Sequence, residues 1–389
     1  MFINSFRKIP LAWLQVFKEK TRLAIALAGI AFADFLMFTQ LGFRDGLFDA
    51  AIQPHKILNT DLVLINPQFS TLFAVKSFSR ERMYQAMRVE GIASIHPLYI
   101  ASGPWRNPET QVDRPILIFG ADPIYQSFTL PEIQNHQDEI KKLNHVLYDQ
   151  AGRPEYGPIA QLLQKSPPVS VQLSGKEVQV AGVFTLGASF AADGNAITSD
   201  STFLNLFPGR QPNEIDVGMI KLQPNANPEQ VKRQLQALLP RQEVIVLTLD
   251  EFANREKEYW ANSTAIGFIF TLGTVVGFIV GVVIVYQILY SDVADHLPEY
   301  ATLKAMGYKN KYLMGVLLQQ AVILAVLGFI PSLGVSWFVY SLAESATLLP
   351  IRMTTERAIT VFILTLIMCM GSGAIALRKL NQADPADIY

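Results

Sequence analysis

Ile266-Gly-Phe-Ile-Phe-Thr-Leu-Gly-Thr-Val-Val-Gly-Phe-Ile-Val-Gly-Val-Val-Ile-Val-Tyr-Gln-Ile-Leu-Tyr290 contains no charged residue. About 20 apolar residues in helical conformation cross a bilayer core of roughly 30 Å, so this stretch alone implies a membrane span. Its charge-free window covers 259–291. Similar windows lie at 23–43, 312–343 and 358–377, and the four together hold one charge, Asp34. Charged residues make up only 17% of the 389-residue chain, below the roughly 25% of soluble domains. The deficit sits in these windows. The expected fold is an α-helical membrane protein with four transmembrane helices in a 1 + 3 layout. A large α+β domain over 44–258 is inserted between the first two. The second and third windows are long enough to tilt or to extend into water, and Pro331 is expected to kink the third.

Orientation follows from Lys and Arg in the short flanks. Residues 1–22 hold Arg7, Lys8, Lys18, Lys20 and Arg22; 292–311 hold Lys304, Lys309 and Lys311; the tail 378–389 holds Arg378 and Lys379. The loop 344–357 has only Arg352 and Arg357. Both termini are therefore expected in the cytoplasm, with 44–258 on the far side of the inner membrane. The start does not read as a cleavable signal peptide, because its apolar stretch is too long and no small-x-small site follows. Phe6, Trp13, Leu14 and Phe17 set against Arg7, Lys8, Lys18 and Lys20 read instead as an interfacial amphipathic helix over 1–22.

Within the domain, Asp61–Asn66 and Pro115–Gly120 read as strands, Ser79–Glu90 as a helix and Ile92–Ile100 as extended chain. Residues 152–168, rich in proline and glycine, read as a linker. Val169–Leu173 and Glu177–Leu186 flank Ser174-Gly175, a hairpin signal. Asp216–Leu222, Pro228–Leu239 and Glu243–Leu249 read as a βαβ-like or split α/β unit. A smaller β-rich insert is expected around 165–210.

Several function classes are excluded. A net charge of −1 lacks the basic stripe of a nucleic-acid binder. There is no Gly-x-x-x-x-Gly-Lys-Ser/Thr loop, no Gly-x-Ser-x-Gly and no His-Glu-x-x-His. Histidines 55, 96, 136, 145 and 296 are scattered without zinc spacing, and Cys369 is alone. No catalytic residue, cofactor or metal is expected in this chain.

Three constellations remain. Gly273, Gly277 and Gly281 share a helix face on which another helix can approach closely, within the chain or across a dimer. Asp34 lies mid-span, where a charge costs about 2.5–3.5 kcal/mol on insertion scales. It reads as a proton or substrate site, or as an interhelical hydrogen bond to a partner such as Gln319 or Gln320, and the packing reading is favoured because a relay needs several groups. His296–Gly307 reads as a short cytoplasmic helix in the segment 292–311, with Pro298 and Glu299 suited to its start and Gly307 to its end. Tyr300, Leu303 and Met306 share a face that is expected to meet a partner.

Pro-Glu-Tyr-Ala-Thr-Leu-Lys-Ala-Met-Gly-Tyr (298–308) resembles the Glu-x-x-x-Leu-Lys/Arg-Ala-x-Gly motif of FtsX-like permeases. The tail Leu-Arg-Lys-Leu-Asn-Gln-Ala-Asp-Pro-Ala-Asp (377–387) resembles that family's closing motif. The 1 + 3 layout is similar to MacB-type transporters. Ala-Leu-Ala-Gly-Ile-Ala-Phe-Ala-Asp-Phe-Leu-Met-Phe (26–38) and Gly-Ala-Ser-Phe-Ala-Ala-Asp-Gly (187–194) resemble DevC-type permeases of cyanobacterial glycolipid exporters. Gln320 departs from the pattern, since many FtsX-like permeases carry Glu there.

The resemblance implies a homodimeric permease that binds a separate, DevA-like ABC ATPase, which uses ATP and Mg. It implies contact through Glu299, Tyr300, Leu303, Lys304, Met306 and Gly307. Helix movement would pass to the periplasmic domain (mechanotransmission). A DevB-like adaptor would lead to a TolC-like outer-membrane channel, with lipid or glycolipid as cargo. The alternatives are an FtsX-like regulator that activates a periplasmic hydrolase, and a lipoprotein-releasing transporter.

Overall fold

The computed structural model describes residues 11–189 and 192–382. The chain divides into two compact units. It begins with α1 (Leu11–Lys18) and α2 (Lys20–Ala51). The inserted domain opens with α3 (Gln53–Lys56), β1 (Leu62–Ile65), β2 (Phe78–Ser79), α4 (Glu81–Ala86), β3 (Ile92–Arg106) and β4 (Asp113–Ala121). It continues through α5 (Pro131–Asn135), α6 (Gln137–Ile140), β5 (His145–Asp149), α7 (Ile159–Lys165), β6 (Val169–Leu173), β7 (Lys176–Phe184) and β8 (Asn195–Ser199). Then come α8 (Asp200–Leu206), β9 (Glu214–Ile215), β10 (Val217–Leu222), α9 (Pro228–Leu238), β11 (Ile245–Thr248) and α10 (Leu249–Asn262). The chain returns to the membrane unit with α11 (Ala265–Asp295), α12 (Leu297–Ala305), α13 (Asn310–Thr347) and α14 (Thr355–Gln382).

Four helices among the described residues are long and apolar enough to span a membrane: Lys20–Ala51, Ala265–Asp295, Lys311–Thr347 and Thr355–Ala376. The protein is thus an α-helical membrane protein with a large α+β domain between its first and second spans. The membrane core is made of small and branched residues. Ala26, Ile30 and Ala33 of α2 meet Val285 and Leu289 of α11, Ala321 and Ala325 of α13, and Met368 and Cys369 of α14. The third span continues as helix through Pro331. The amphipathic helix expected over 1–22 is α1, which ends before Glu19; residues 1–10 and 383–389 lie outside the described residues.

The domain is built on a nine-stranded sheet ordered β11-β1-β10-β3-β4-β8-β5-β7-β6. Strands β10 and β11 flank β1, both antiparallel to it, and α9 links them. This is the split unit expected from 216–249. Asn227 starts α9 by accepting from the Glu229 and Gln230 amides, with proline next to it at the first turn. Thr248 and Glu251 form a capping box on α10, and Glu251 also accepts from Lys232 of α9 at 2.5 Å.

The long strand β3 is shared between two parts of the sheet. Its first half pairs with β10, its second half with β4, and its end, Trp105 and Arg106, with β6. The run β3-β4-β8-β5-β7-β6 therefore closes on itself. Closure removes exposed edges and encloses Trp105, Tyr148, Val171, Leu173, Val178, Val180 and Ala196. Residues 165–210 are consequently not a separate insert; their strands complete this ring. The segment 152–168 is not a bare linker either. It carries α7, and Tyr156 is buried, its backbone carbonyl accepting from Trp105 Nε1 at 3.2 Å and its hydroxyl donating to the Pro115 carbonyl at 2.6 Å. The hairpin at Ser174-Gly175 is as expected, with positive φ at both residues (52° and 75°).

Candidate coupling surface and intramembrane polar site

Helix α12 lies between the second and third spans. Its end is set by Gly307, whose φ of +90° suits a glycine. The Tyr308 amide reaches back to the Leu303 carbonyl at 3.1 Å, closing the last turn. The structure corrects which face is free. Tyr300 is fully buried against Val293, Leu313 and Leu317, and Leu303 packs on the same cluster. The stem of the loop covers these side chains itself, so they are not available for docking. Glu299, Thr302, Met306 and Tyr308 are exposed. Met306 is 63% accessible. The side chain of Lys304 lies outside the described residues.

The entry helix α1 packs on α13 through Ala12 and Gln15, leaving Trp13, Leu14 and Phe17 exposed with the Trp13 and Phe17 rings 4.4 Å apart. That is the geometry of a helix lying in an interface, with amphipathic rings outward. Gln320 Nε2 donates to Gln15 Oε1 at 3.0 Å, and Gln15 Nε2 reaches Glu299 Oε2 at 3.5 Å. Lys18 adds an ion pair to Glu299 at 3.4 Å. Arg22, at the start of the first span, pairs with Asp295 and approaches Asp292 at 3.7 Å. Helix α12 is thus tied to α1, α1 to α13, and α2 to the end of α11, by polar contacts that charge counting did not show. Gln320, where the family pattern often has Glu, is a neutral member of this network.

Asp34 is fully buried in the bundle. Its partners are not Gln319 or Gln320. Thr365 Oγ1 of α14 donates to Oδ1 at 2.7 Å, and Ser332 Oγ of α13 lies 3.4 Å from Oδ2. The carboxyl therefore joins three spans through hydroxyls. Single serines and threonines in apolar windows carry no sequence signal that would pair them with Asp34. Toward the other end of the bundle, Tyr340 donates to the Phe38 carbonyl. Arg357 sits over the Tyr340 ring and pairs with Asp45 at 3.0 Å.

The glycine stripe faces α2 within the chain. A Cβ at Gly273 would lie 2.5 Å from Gln40 Cδ, and one at Gly277 3.3 Å from Leu36 Cβ. At Gly281 it would collide with Met368 and come within 2.8 Å of Ala33 Cβ. The close approach permitted by small residues is used between the first two spans.

In the domain, the segment 187–194 is anchored by Asp149, which accepts from the Leu186 and Gly187 amides at 3.0 and 2.9 Å and from Asn195 Nδ2 at 2.8 Å. Burial raises the Asp149 carboxyl above its usual range, and these donors oppose the shift. Residues 190 and 191 lie outside the described residues. Among the described residues no group of His, Cys, Asp and Glu could hold a metal.

Residues 264–385 match the family model described as FtsX-like permease C-terminal. The match covers α11 to α14, so the likeness lies in the three C-terminal spans and α12. No curated protein matches the chain. Solved structures similar to the chain include the periplasmic region of MacB from Actinobacillus actinomycetemcomitans. It is 14% identical, with 54% of this chain and 95% of that one covered and a TM-score of 0.35. The extracellular domain of the noncanonic ABC-type transporter YknZ from Gram-positive bacteria is 16% identical, covers 49% and 100%, and has a TM-score of 0.34. A domain of a putative permease protein from Porphyromonas gingivalis is 13% identical, covers 50% and 88%, and has a TM-score of 0.31.

Proposed function

We propose that this chain is the permease subunit of an ABC exporter, driven by an ATPase that is a separate polypeptide. The observation that carries the reading is the FtsX-like match over 264–385 on three spans whose connecting helix leaves one face free. The chain has no phosphate-binding loop of its own, so energy enters through a partner. Met306 and Tyr308, with Thr302 beside them, form the docking face. Tyr300 and Leu303 hold α12 to the spans behind it, so a push on the free face moves the helices.

In this reading the termini and α12 are cytoplasmic and the inserted domain is periplasmic, in accord with the Lys and Arg asymmetry. Two copies form the working permease. The domain engages a periplasmic adaptor that leads to a TolC-like channel, and the cargo is an envelope lipid or glycolipid.

The test is purification of the full chain with its bound partners from native membranes in mild detergent. An ATPase chain with a phosphate-binding loop should co-purify and hydrolyse ATP. Met306→Asp and Tyr308→Asp should release it. An intact complex that lacks such a chain, or that keeps it equally well in both variants, would overturn the proposal. Recovery of a periplasmic hydrolase in place of the adaptor would replace export by hydrolase activation.

A further inference from the structure

The inserted domain begins with α3, one residue after α2, and ends with α10, which leads into α11 across Ser263 and Thr264. Glu256 of α10 and His55 of α3 face each other, with side chains 2% and 0% accessible. Glu256 Oε2 accepts from the Leu72 amide at 3.0 Å, and Oε1 from Trp260 Nε1 at 2.9 Å. His55 Nε2 stands 3.9 Å from Oε2, about an ångström beyond bonding range. Neither ring nitrogen of His55 has a hydrogen-bond partner among the described residues. Its ring meets Phe252 edge-on at 4.5 Å, and Phe252 packs on Phe69 of the same loop as Leu72.

The other charges nearby are engaged elsewhere. Arg255 donates to the Pro67 and Phe69 carbonyls at 2.7 and 3.0 Å, and Lys257 lies 3.7 Å from Asp49. Strands β1 and β11, which also pack on α10, carry no titratable side chain. Burial pushes the Glu256 carboxyl up to about 7 and the His55 imidazole down to about 3. Near neutral pH the carboxyl therefore exchanges its proton while the imidazole stays neutral.

We infer that Glu256 and His55 form a proton-operated latch between the helices through which the chain enters and leaves the inserted domain. When ionised, Glu256 holds the Leu72 amide and so fixes the loop around 70–74. A proton taken from water adds to Oε2. The new O–H donates to His55 Nε2, with the ring in its Nδ1–H tautomer, and draws α3 and α10 together. The protonated oxygen is a poorer acceptor, so the Leu72 amide is released, while Trp260 remains on Oε1.

The test uses the full chain in detergent and reads amide exchange at Leu72, corrected for intrinsic rates. Protection at Leu72 should fall about tenfold between about pH 8.5 and pH 5.5, the loss expected for one hydrogen bond. Glu256→Gln should abolish that dependence. His55→Leu should move the transition to lower pH, because the added proton loses its acceptor. Equal protection of the wild-type chain at both pH values would overturn the latch without any variant having to fold. An unchanged transition in Glu256→Gln would overturn it as well.

Discussion

Tyr300→Ala separates the two faces of α12. The side chain is 0% accessible and packs against Val293, Leu313 and Leu317. Truncating a buried aromatic costs about 3–5 kcal/mol, depending on how far the site collapses. The cluster sits in a loop stem between two helix ends, where neighbours can close in, so the lower end applies. About 3 kcal/mol is roughly a hundredfold in a local opening equilibrium. Amide exchange of the peptides over 293–317 in the purified chain should therefore accelerate by about that factor. Met306 is 63% accessible, and Met306→Ala should change the same exchange by less than threefold, since surface substitutions stay within about 0.5 kcal/mol. Equal acceleration in the two variants, or none with Tyr300→Ala, would refute the division into a packing face and a free face.

Gly281→Leu should lower the melting temperature of the purified chain far more than Val276→Leu does, because its added atoms meet Met368 and Ala33 whereas Val276 is 48% accessible; equal melting would remove the glycine face from the packing. Asp34→Asn should preserve folded yield better than Asp34→Leu, since Asn can still accept from Thr365 whereas Leu forfeits that bond between spans, worth about 0.5–1.5 kcal/mol; detergent melts of the two variants decide this. In the domain, Glu256 is raised on folding, so its ionisation opposes the fold. Its contribution is most favourable below about pH 4.5 and is lost as pH rises through about 7. Removing that penalty with Glu256→Gln should raise stability at high pH relative to low pH by at most about 3 kcal/mol. His55, depressed on folding to about 3, acts in the opposite sense, with stability lost as pH falls below about 6.5. Chemical denaturation across pH should show the Glu256 contribution vanish in the Gln variant and the His55 contribution persist.

Much of this architecture is legible along the chain. Four windows that together hold one charge, the hairpin at Ser174-Gly175, the unit from Asp216 to Leu249 and the helix stop at Gly307 are local signals. Each depends on hydropathy over a few turns or on a backbone angle that one residue type favours, so neighbours in sequence suffice to reveal them. Spacing also put Gly273, Gly277 and Gly281 on one face, but the choice of α2 as the partner needed three dimensions.

The other features depend on contacts between residues far apart in the chain. β3 meets β6 at Trp105 and closes a ring, which turned an apparent insert into part of one sheet. Tyr300, apolar and on the expected face of α12, is turned inward because α11 and α13 supply its cover. Asp34 found hydroxyls from the third and fourth spans instead of the glutamines, and His55 met Glu256 across nearly the whole inserted domain. Hydropathy says that such side chains need burial or a partner. It does not say which, because that depends on how helices and strands rotate as they pack, and the rotation is set by contacts distant in sequence.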